Sequence, residues 1–231
     1  MAKVFIGAGH GGVDSGAIGI VTEKVVNLEM ALACRDYLAK NGVEVKLSRN
    51  KDENDPLTDE IKECNAYNPD LAVDVHNNAG GGDGFEAYYY HGGGKSKELA
   101  ENIEKEIIAI GQNSRGCKTK LNAQGKDYFG FIRQTNAPAV IVEGFFVDNA
   151  EDVKIADTIE EQRAFGVAYA KGILKTLGIT PKIEENNNNN QSGNSDAIYK
   201  VQVGAFKDKN NAENLVKELK EKGFANAYIK R

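Results

Sequence analysis

Hydrophobic positions in this chain fall alternately into short runs and into helical stripes, the pattern of an α/β fold. Val4, Phe5 and Ile6 read as a buried central strand. Over residues 22–41 the period becomes helical: Val25, Leu28, Ala31, Leu32, Cys34 and Leu38 share a broad face, and Asn41-Gly42 stops the helix. A strand over 43–47, a helix over 56–67 with Leu57, Ile61 and Cys64 inward, and a strand over 71–75 follow. An aromatic-rich strand is predicted over 85–90, and its tyrosines read as packing residues. A helix over 96–111 carries Leu99, Ile103, Ile107 and Ile110 as its stripe. Residues 115–133 read as an irregular loop closing on a short strand over 128–132. Pro138 to Val142, PAVIV, is a buried strand by its branched residues. Helices fill 151–178, with Phe165, Ala168, Tyr169, Gly172, Ile173 and Leu177 inward.

After Pro181 the pattern stops. Glu184-Glu185, five consecutive asparagines and Gln191-Ser192-Gly193 have nothing to bury, so a flexible linker is expected. The expected division is a domain over 1–180, an Asn-rich linker over 181–197 and a small β-α-β unit over 198–231. That unit has strands at 199–203 and 227–229 and a helix over 209–222 with Ala212, Leu215, Val216 and Leu219 aligned. So small a unit needs a partner or a docking surface to be stable.

Composition narrows the classes. The net charge of -5 and scattered Lys and Arg argue against nucleic acid as a partner. Three cysteines, Cys34, Cys64 and Cys117, make an odd count without C-x-x-C spacing, so neither a disulfide framework nor a thiolate zinc site is indicated. No run is long and apolar enough for membrane insertion. The first residues enter a strand without a charged leader or apolar stretch. The protein is therefore expected to be made in the cytoplasm without a signal peptide.

Candidate chemistry sits where elements end. Gly7, Gly9 and Gly12 spell G-x-G-x-x-G after a strand, and Arg49 stands where a 2′-phosphate binder would. A dinucleotide turn requires a helix at once, however, and the helical period begins only near Thr22. The other reading takes the glycines as the means of presenting His10 at a strand end. His76 follows the strand over 71–75, and Glu143 follows PAVIV directly, where an unpaired buried carboxylate would be costly. Glu23 is either an ordinary first-turn acid or part of this group. His91, in HGGGK, reads as a solvated loop tip. In an α/β sheet the carboxyl ends of parallel strands share one rim, where His10, His76 and Glu143 would meet Glu23. Two imidazoles and one carboxylate with a fourth position open make a catalytic zinc set, and the other carboxylate would be the general base.

His10 in GAGHGG, Glu23 before Asn27-Leu28, HNNA at His76 to Ala79 and PAVIVEGFFVDN at Pro138 to Asn149 together resemble the zinc-dependent N-acetylmuramoyl-L-alanine amidases of the type 3 family. The resemblance spans roughly residues 3–177. It implies that His10, Glu23 and His76 bind Zn2+ and that Glu143 is catalytic, activating water and protonating the leaving amine. It also implies a mixed sheet of about six strands with helices on both faces. The substrate implied is bacterial peptidoglycan, cut between N-acetylmuramic acid and L-alanine. Asn78 matches the family's asparagine and Arg133 stands just before the PAVIVE strand; both are implied substrate contacts. Asp74 stands where the family usually has serine, and Asn77 where it usually has a small residue.

The tail over 199–229 is similar to one repeat of the sporulation-related (SPOR) peptidoglycan-binding fold and covers about half of it. Two chains are expected to complete one sheet, making a homodimer. The assembly resembles phage endolysins and mother-cell lytic amidases, which implies action on the cell wall after release. A zinc peptidase of stem peptides and a non-catalytic wall-binding protein are the alternative functions.

Overall fold

The computed structural model describes residues 1–182 and 209–222. The strands predicted at 199–203 and 227–229, and the Asn-rich linker, lie outside the described residues. By its internal contacts the chain divides into two units, Met1–Ile183 and Glu184–Arg231.

The first unit is built on six strands: β1 (Lys3–Ala8), β2 (Glu44–Leu47), β3 (Leu71–Asn78), β4 (Phe85–Tyr89), β5 (Ser114–Lys118) and β6 (Ala139–Phe146). They lie in the order β2-β1-β3-β6-β4-β5. All neighbours pair in parallel except β4 and β6, so the sheet is mixed, as the resemblance implied. β4 enters from the glycine run after β3 and runs against β6.

Side chains alternate across each strand, so each strand feeds two layers. On one face Val4, Ile6, Leu71, Val73, Val75, Val140 and Val142 pack against α1 (Glu23–Lys40), α3 (Lys95–Ala109) and α6 (Ile159–Thr176). Gly166 lets α6 close on α1, since a Cβ there would overlap the Met30 carbonyl and lie 2.9 Å from Ala33 Cβ. On the other face Phe5, Ala72, Ala139 and Ile141 form a smaller core with α2 (Leu57–Tyr67) and α4 (Gly130–Gln134). Helices thus cover both faces, but the second core is short. Beyond it that face carries Asp74 and then a polar row across three strands, where His76 pairs with Glu143 and Glu143 with Glu86.

The structure corrects several details of the sequence reading. β3 and β6 run past Val75 and Val142, so His76 and Glu143 project from the sheet's face, not from loops after it. Residues 128–132 are not a strand: Phe131 and Ile132, both buried and adjacent, suit a short helix, α4, and no alternating pattern. The supposed irregular stretch instead holds β5, a polar edge strand tied down by Arg115 and Lys118 to Glu86. Val25 is 54% exposed because the buried stripe of α1 is rotated to Val26, Met30, Ala33 and Cys34. Ile110 likewise falls at the cap of α3 and stays exposed. His91 is a loop residue with a partner: its backbone N–H and Nδ1 both reach the buried Asp127, at 2.9 and 2.8 Å. All three cysteines are free.

α5 (Ala150–Val153) is a single turn capped by Asn149. In the second unit, α7 (Lys209–Glu221) has Ala212, Leu215, Val216 and Leu219 as its half-covered positions, the face the sequence predicts. No helix among the described residues is long and apolar enough to cross a membrane.

Candidate metal centre

His10 is held by a strained turn. Its φ is +66°, a left-handed conformation that costs a non-glycine residue roughly 1–2 kcal/mol. The backbone of Gly11 and Asp14 pairs twice across the turn, at 2.8 and 3.0 Å, which folds the Asp14 carboxylate back onto His10 Nδ1 at 2.9 Å. The glycines do not cradle a pyrophosphate. A Cβ on Gly11 would overlap the Glu53 carbonyl and one on Gly12 would overlap Asn54, so the loop over 51–54 occupies that space. The next helix begins only at Glu23, and the Arg49 guanidinium is committed to the carbonyls of Ala8, Gly9, Lys24 and Lys51. The nucleotide reading therefore fails on both counts.

Glu23 is the first residue of α1 but not an ordinary first-turn acid, since it is 4% exposed. Oε2 accepts from the Ala17 N–H at 2.8 Å. Oε1 accepts from the Asn77 N–H at 3.1 Å and lies 3.0 Å from His76 Nδ1 and 3.2 Å from His10 Nε2. Burial disfavours its charge, yet the two imidazoles and the Ala17 N–H outweigh that and hold the carboxyl well below the usual range. The ring centroids of His10 and His76 stand 4.9 Å apart in an edge-to-face arrangement. Close approach is possible because Gly9 and Gly16 lack side chains: a Cβ on Gly9 would overlap the His76 ring, and one on Gly16 would come within 2.6 Å of His10.

One donor atom from each of His10, Glu23 and His76 lies within 4.8 Å of the others, close enough to share one ion. The outer nitrogens complete the fit. Asp14 meets His10 Nδ1, and Asp74 Oδ2 meets His76 Nε2 at 3.2 Å. A carboxylate on the far nitrogen fixes the tautomer and aims the near lone pair inward, the usual support of a metal-ligating histidine. Asp74, the departure from serine noted above, thus has a definite job. The residues fit a metal.

Glu143 follows Val142 on β6 and sits in register beside His76. It is partly exposed at the rim of the polar face. Burial is the chief reason its carboxyl is pushed up to about 7; His76 opposes, while Glu23, Asp74 and Glu86 add to the rise. Glu86, opposite it on β4, is held ionised by Lys118 at 2.8 Å, by Arg115 and by the Tyr88 hydroxyl at 2.9 Å, against its burial. Asn78 ends β3 on the same rim, where its Oδ1 accepts from the Ala79 N–H at 3.1 Å. Asn77 turns to the opposite layer, donating to Asn27 Oδ1 at 2.7 Å and accepting from the Phe145 N–H at 3.1 Å. Arg133 donates from Nη1 to the carbonyls of Asp127 and Tyr128, at 2.6 and 2.7 Å, and lines a surface cleft with Asn122, Gln124, Lys126 and Gln134.

Sequence reasoning passed over Asp14, Glu86 and Glu60. Asp14 gave no signal, because a loop has no period. Glu86 did give one: a carboxylate in an aromatic-rich strand is as anomalous as Glu143 after PAVIV.

Two imidazoles and a carboxylate around one point, open to solvent through the partly exposed rings, with the Glu143 carboxyl alongside, make a possible metal site of the kind metallohydrolases use. Residues 4–175 match the N-acetylmuramoyl-L-alanine amidase family, and the chain belongs to it; residues 195–231 match the SPOR domain. The chain is 34% identical to the N-acetylmuramoyl-L-alanine amidase CwlM of Bacillus licheniformis, over 100% of its own length and 86% of that protein. It is 34% identical to the sporulation-specific N-acetylmuramoyl-L-alanine amidase of Bacillus subtilis, covering 97% and 83%. Among solved structures, the catalytic domain of CwlV from Bacillus (Paenibacillus) polymyxa var. colistinus superposes with a TM-score of 0.70 at 32% identity, covering 78% of this chain and 100% of that one. Cwp6 from Clostridium difficile gives a TM-score of 0.75 at 35% identity, covering 76% of this chain and 29% of that one.

Proposed function

We propose that zinc, held by His10 Nε2, a Glu23 oxygen and His76 Nδ1, serves the activity of this amidase family: hydrolysis of the amide between N-acetylmuramic acid and L-alanine in bacterial peptidoglycan. The nitrogen-rich donor set with one carboxylate is typical of catalytic zinc. Bound there, zinc supplies Lewis acidity toward the scissile carbonyl and toward water. The chain's own residues do the rest. Glu143 accepts a proton from the attacking water and returns it to the departing L-alanine nitrogen, and an acid near 7 suits both halves of that exchange. Glu86, kept charged by Arg115 and Lys118, resists ionisation of Glu143 and so keeps it within reach of neutral pH.

Asn78, on the rim, contacts the substrate beside His76. Arg133 contributes only what its two carbonyl bonds leave free, toward glycan or peptide in the cleft it lines. Residues 195–231 anchor the enzyme to the wall, with two chains completing one sheet, and the enzyme acts on the wall after leaving the cytoplasm. The first half of this is checked by sedimentation of the full chain, where a strict monomer that still binds walls speaks against pairing.

The observation that carries the reading is the convergence of His10, Glu23 and His76, remote in sequence, beside Glu143. Metal analysis of the purified protein, with mass analysis of digested muropeptides, tests it. Intact stem peptides and peptide-free glycan are expected. Cut stem peptides would make the protein a peptidase, and a loaded metal with no released peptide would make it a wall-binding protein.

A further inference from the structure

Asp74, which meets His76 Nε2, has a second buried carboxyl group beside it to which the reaction gives no role. Glu60 of α2 is 4% exposed and Asp74 of β3 is 2% exposed. Glu60 Oε1 and Asp74 Oδ1 are the buried side-chain oxygens left without a hydrogen-bond partner among the described residues. They share one small space. Gly7 pairs with Asp74 in the β1–β3 ladder, and a Cβ on Gly7 would overlap Glu60 Oε1 and stand 2.6 Å from Asp74 Oδ1. A glycine at this strand position therefore makes the room in which the two carboxyl groups meet.

Two carboxylate oxygens cannot pair without a hydrogen between them, and a bare buried acceptor is destabilising. One proton resolves both orphans at once. The other oxygen of Asp74 already lies 3.2 Å from His76 Nε2 and works there as an acceptor. Glu60 has no such engagement. Burial, and then the neighbouring Asp74 and Asp55, drive its carboxyl well above the ordinary range, with only His76 opposing among the charges that reach it most strongly.

We propose that Glu60 is a positioning residue of the metal centre: as a carboxylic acid it donates from Oε1 to Asp74 Oδ1, locking the carboxylate that orients His76. The result is a relay of fixed hydrogen bonds, from Glu60 through Asp74 to His76 Nε2, that leaves the Nδ1 lone pair aimed at Glu23 and the metal position. Serine in place of Asp74 would have no such need for a proton donor behind it. Glu60 and Asp74 thus act as one unit, and this chain's departure at Asp74 is matched by an acid in α2.

The inference rests on the metal-centre reading, and its test separates the two. In the metal-free full-length protein, infrared spectroscopy should show the carbonyl band of a buried carboxylic acid that Glu60→Gln abolishes. Zinc affinity, measured by competition with a chromophoric chelator, should fall about 10–100-fold in Glu60→Met, as for loss of other groups supporting a ligand. Glu60→Gln, whose amide still donates to Asp74, should retain affinity within about threefold, a rescue that simple packing does not explain. Absence of the band, wild-type zinc affinity in Glu60→Met, or equal losses in both variants would overturn the proposal. If the wild type takes up no zinc, the catalytic reading fails, and the infrared band still decides the Glu60–Asp74 bond.

Discussion

Glu143 and His76 are direct neighbours across the parallel β3–β6 ladder, in register and on one face of the sheet. Neighbouring strands lie about 4.8 Å apart, so the proposed metal ligand and the proposed proton carrier are held side by side by backbone hydrogen bonds. A loop would have to be ordered to achieve the same. The ladder makes Glu143 separable from the metal donors, because it adjoins them without being one. Glu143→Gln should therefore keep stoichiometric zinc and wall binding while turnover falls by about 10²–10⁴, the usual contribution of a general base. Normal release of stem peptides by this variant would remove Glu143 from the mechanism.

Asp14 touches no metal position, yet its carboxylate is the partner of His10 Nδ1 at 2.9 Å. Asp14→Asn should leave the fold intact, because Asp14 is exposed, and should weaken zinc binding about 10–100-fold. His10→Ala should abolish it. Chelator titration of the three proteins checks the order, and equal affinity in wild type and Asp14→Asn would reduce the contact to a surface pair.

Much of this was legible beforehand, for reasons that can be located. Strands such as PAVIV and helices such as α6 announce themselves because burial on a sheet or along a stripe forces a regular apolar period. His10, His76 and Glu143 draw notice as polar groups at strand ends, whereas Glu23 alone reads as an ordinary first-turn acid and gains meaning only as part of that set. β5 was illegible because Ser-Arg-Gly-Cys-Lys holds its edge by backbone pairing and by ions to Glu86, leaving no apolar trace. The rotation of the α1 stripe escaped because Asn27 and Glu23 are buried for the site's sake, which blurs a pattern read from hydrophobicity alone. The pairing of Glu60 with Asp74 depends on a glycine in a third element, and no local window contains all three.

The raised Glu143 acid has a thermodynamic consequence in the metal-free protein. Its folded value is about 7 against an ordinary 4.5, so between those values the folded state binds more protons than the unfolded one. Stability is then greatest below about pH 4.5 as far as this group is concerned, and it declines as pH rises through 7. The full difference is roughly 3 kcal/mol, from about 2.5 pKa units at about 1.36 kcal/mol each. Denaturant unfolding in chelator should show Glu143→Gln gaining on the wild type between pH 5 and pH 8. A constant difference across that range would mean that Glu143 ionises normally.

Glycines at the centre and in the core should fail differently. Gly9→Ala pushes a methyl into the His76 ring, so zinc binding should collapse while most of the fold survives. Gly166→Ala instead meets the Met30 carbonyl and Ala33 where α6 crosses α1, far from any metal donor in its contacts. It should lower stability by about 1–3 kcal/mol through overpacking. Folded Gly166→Ala should bind zinc normally. The pair is measured by unfolding and by zinc titration, and a shared loss of both properties would contradict the assignment of Gly9 to the centre.

Arg49 offers the last test, of how the centre is kept assembled. It is 2% exposed, and its guanidinium donates to the Ala8 carbonyl at 2.6 Å, Gly9 at 3.2 Å, Lys24 at 2.8 Å and Lys51 at 3.2 Å. Those carbonyls belong to the end of β1 before His10, the first turn of α1 after Glu23, and the loop that fills the space beside Gly11 and Gly12. One planar fork therefore ties the segments that carry His10 and Glu23, two of the three proposed metal donors. Arg49→Met leaves several buried acceptors unpaired and should cost about 3 kcal/mol or more. Arg49→Lys keeps the charge, but a single ammonium cannot span carbonyls set out for a fork, so it should recover less than half of the loss. Zinc affinity should decline in the same order, because the turn bearing His10 already holds a left-handed residue and needs outside restraint to stay there. Unfolding curves and zinc competition on the three proteins decide this, and a stable, zinc-binding Arg49→Met would show that the turn holds its shape unaided.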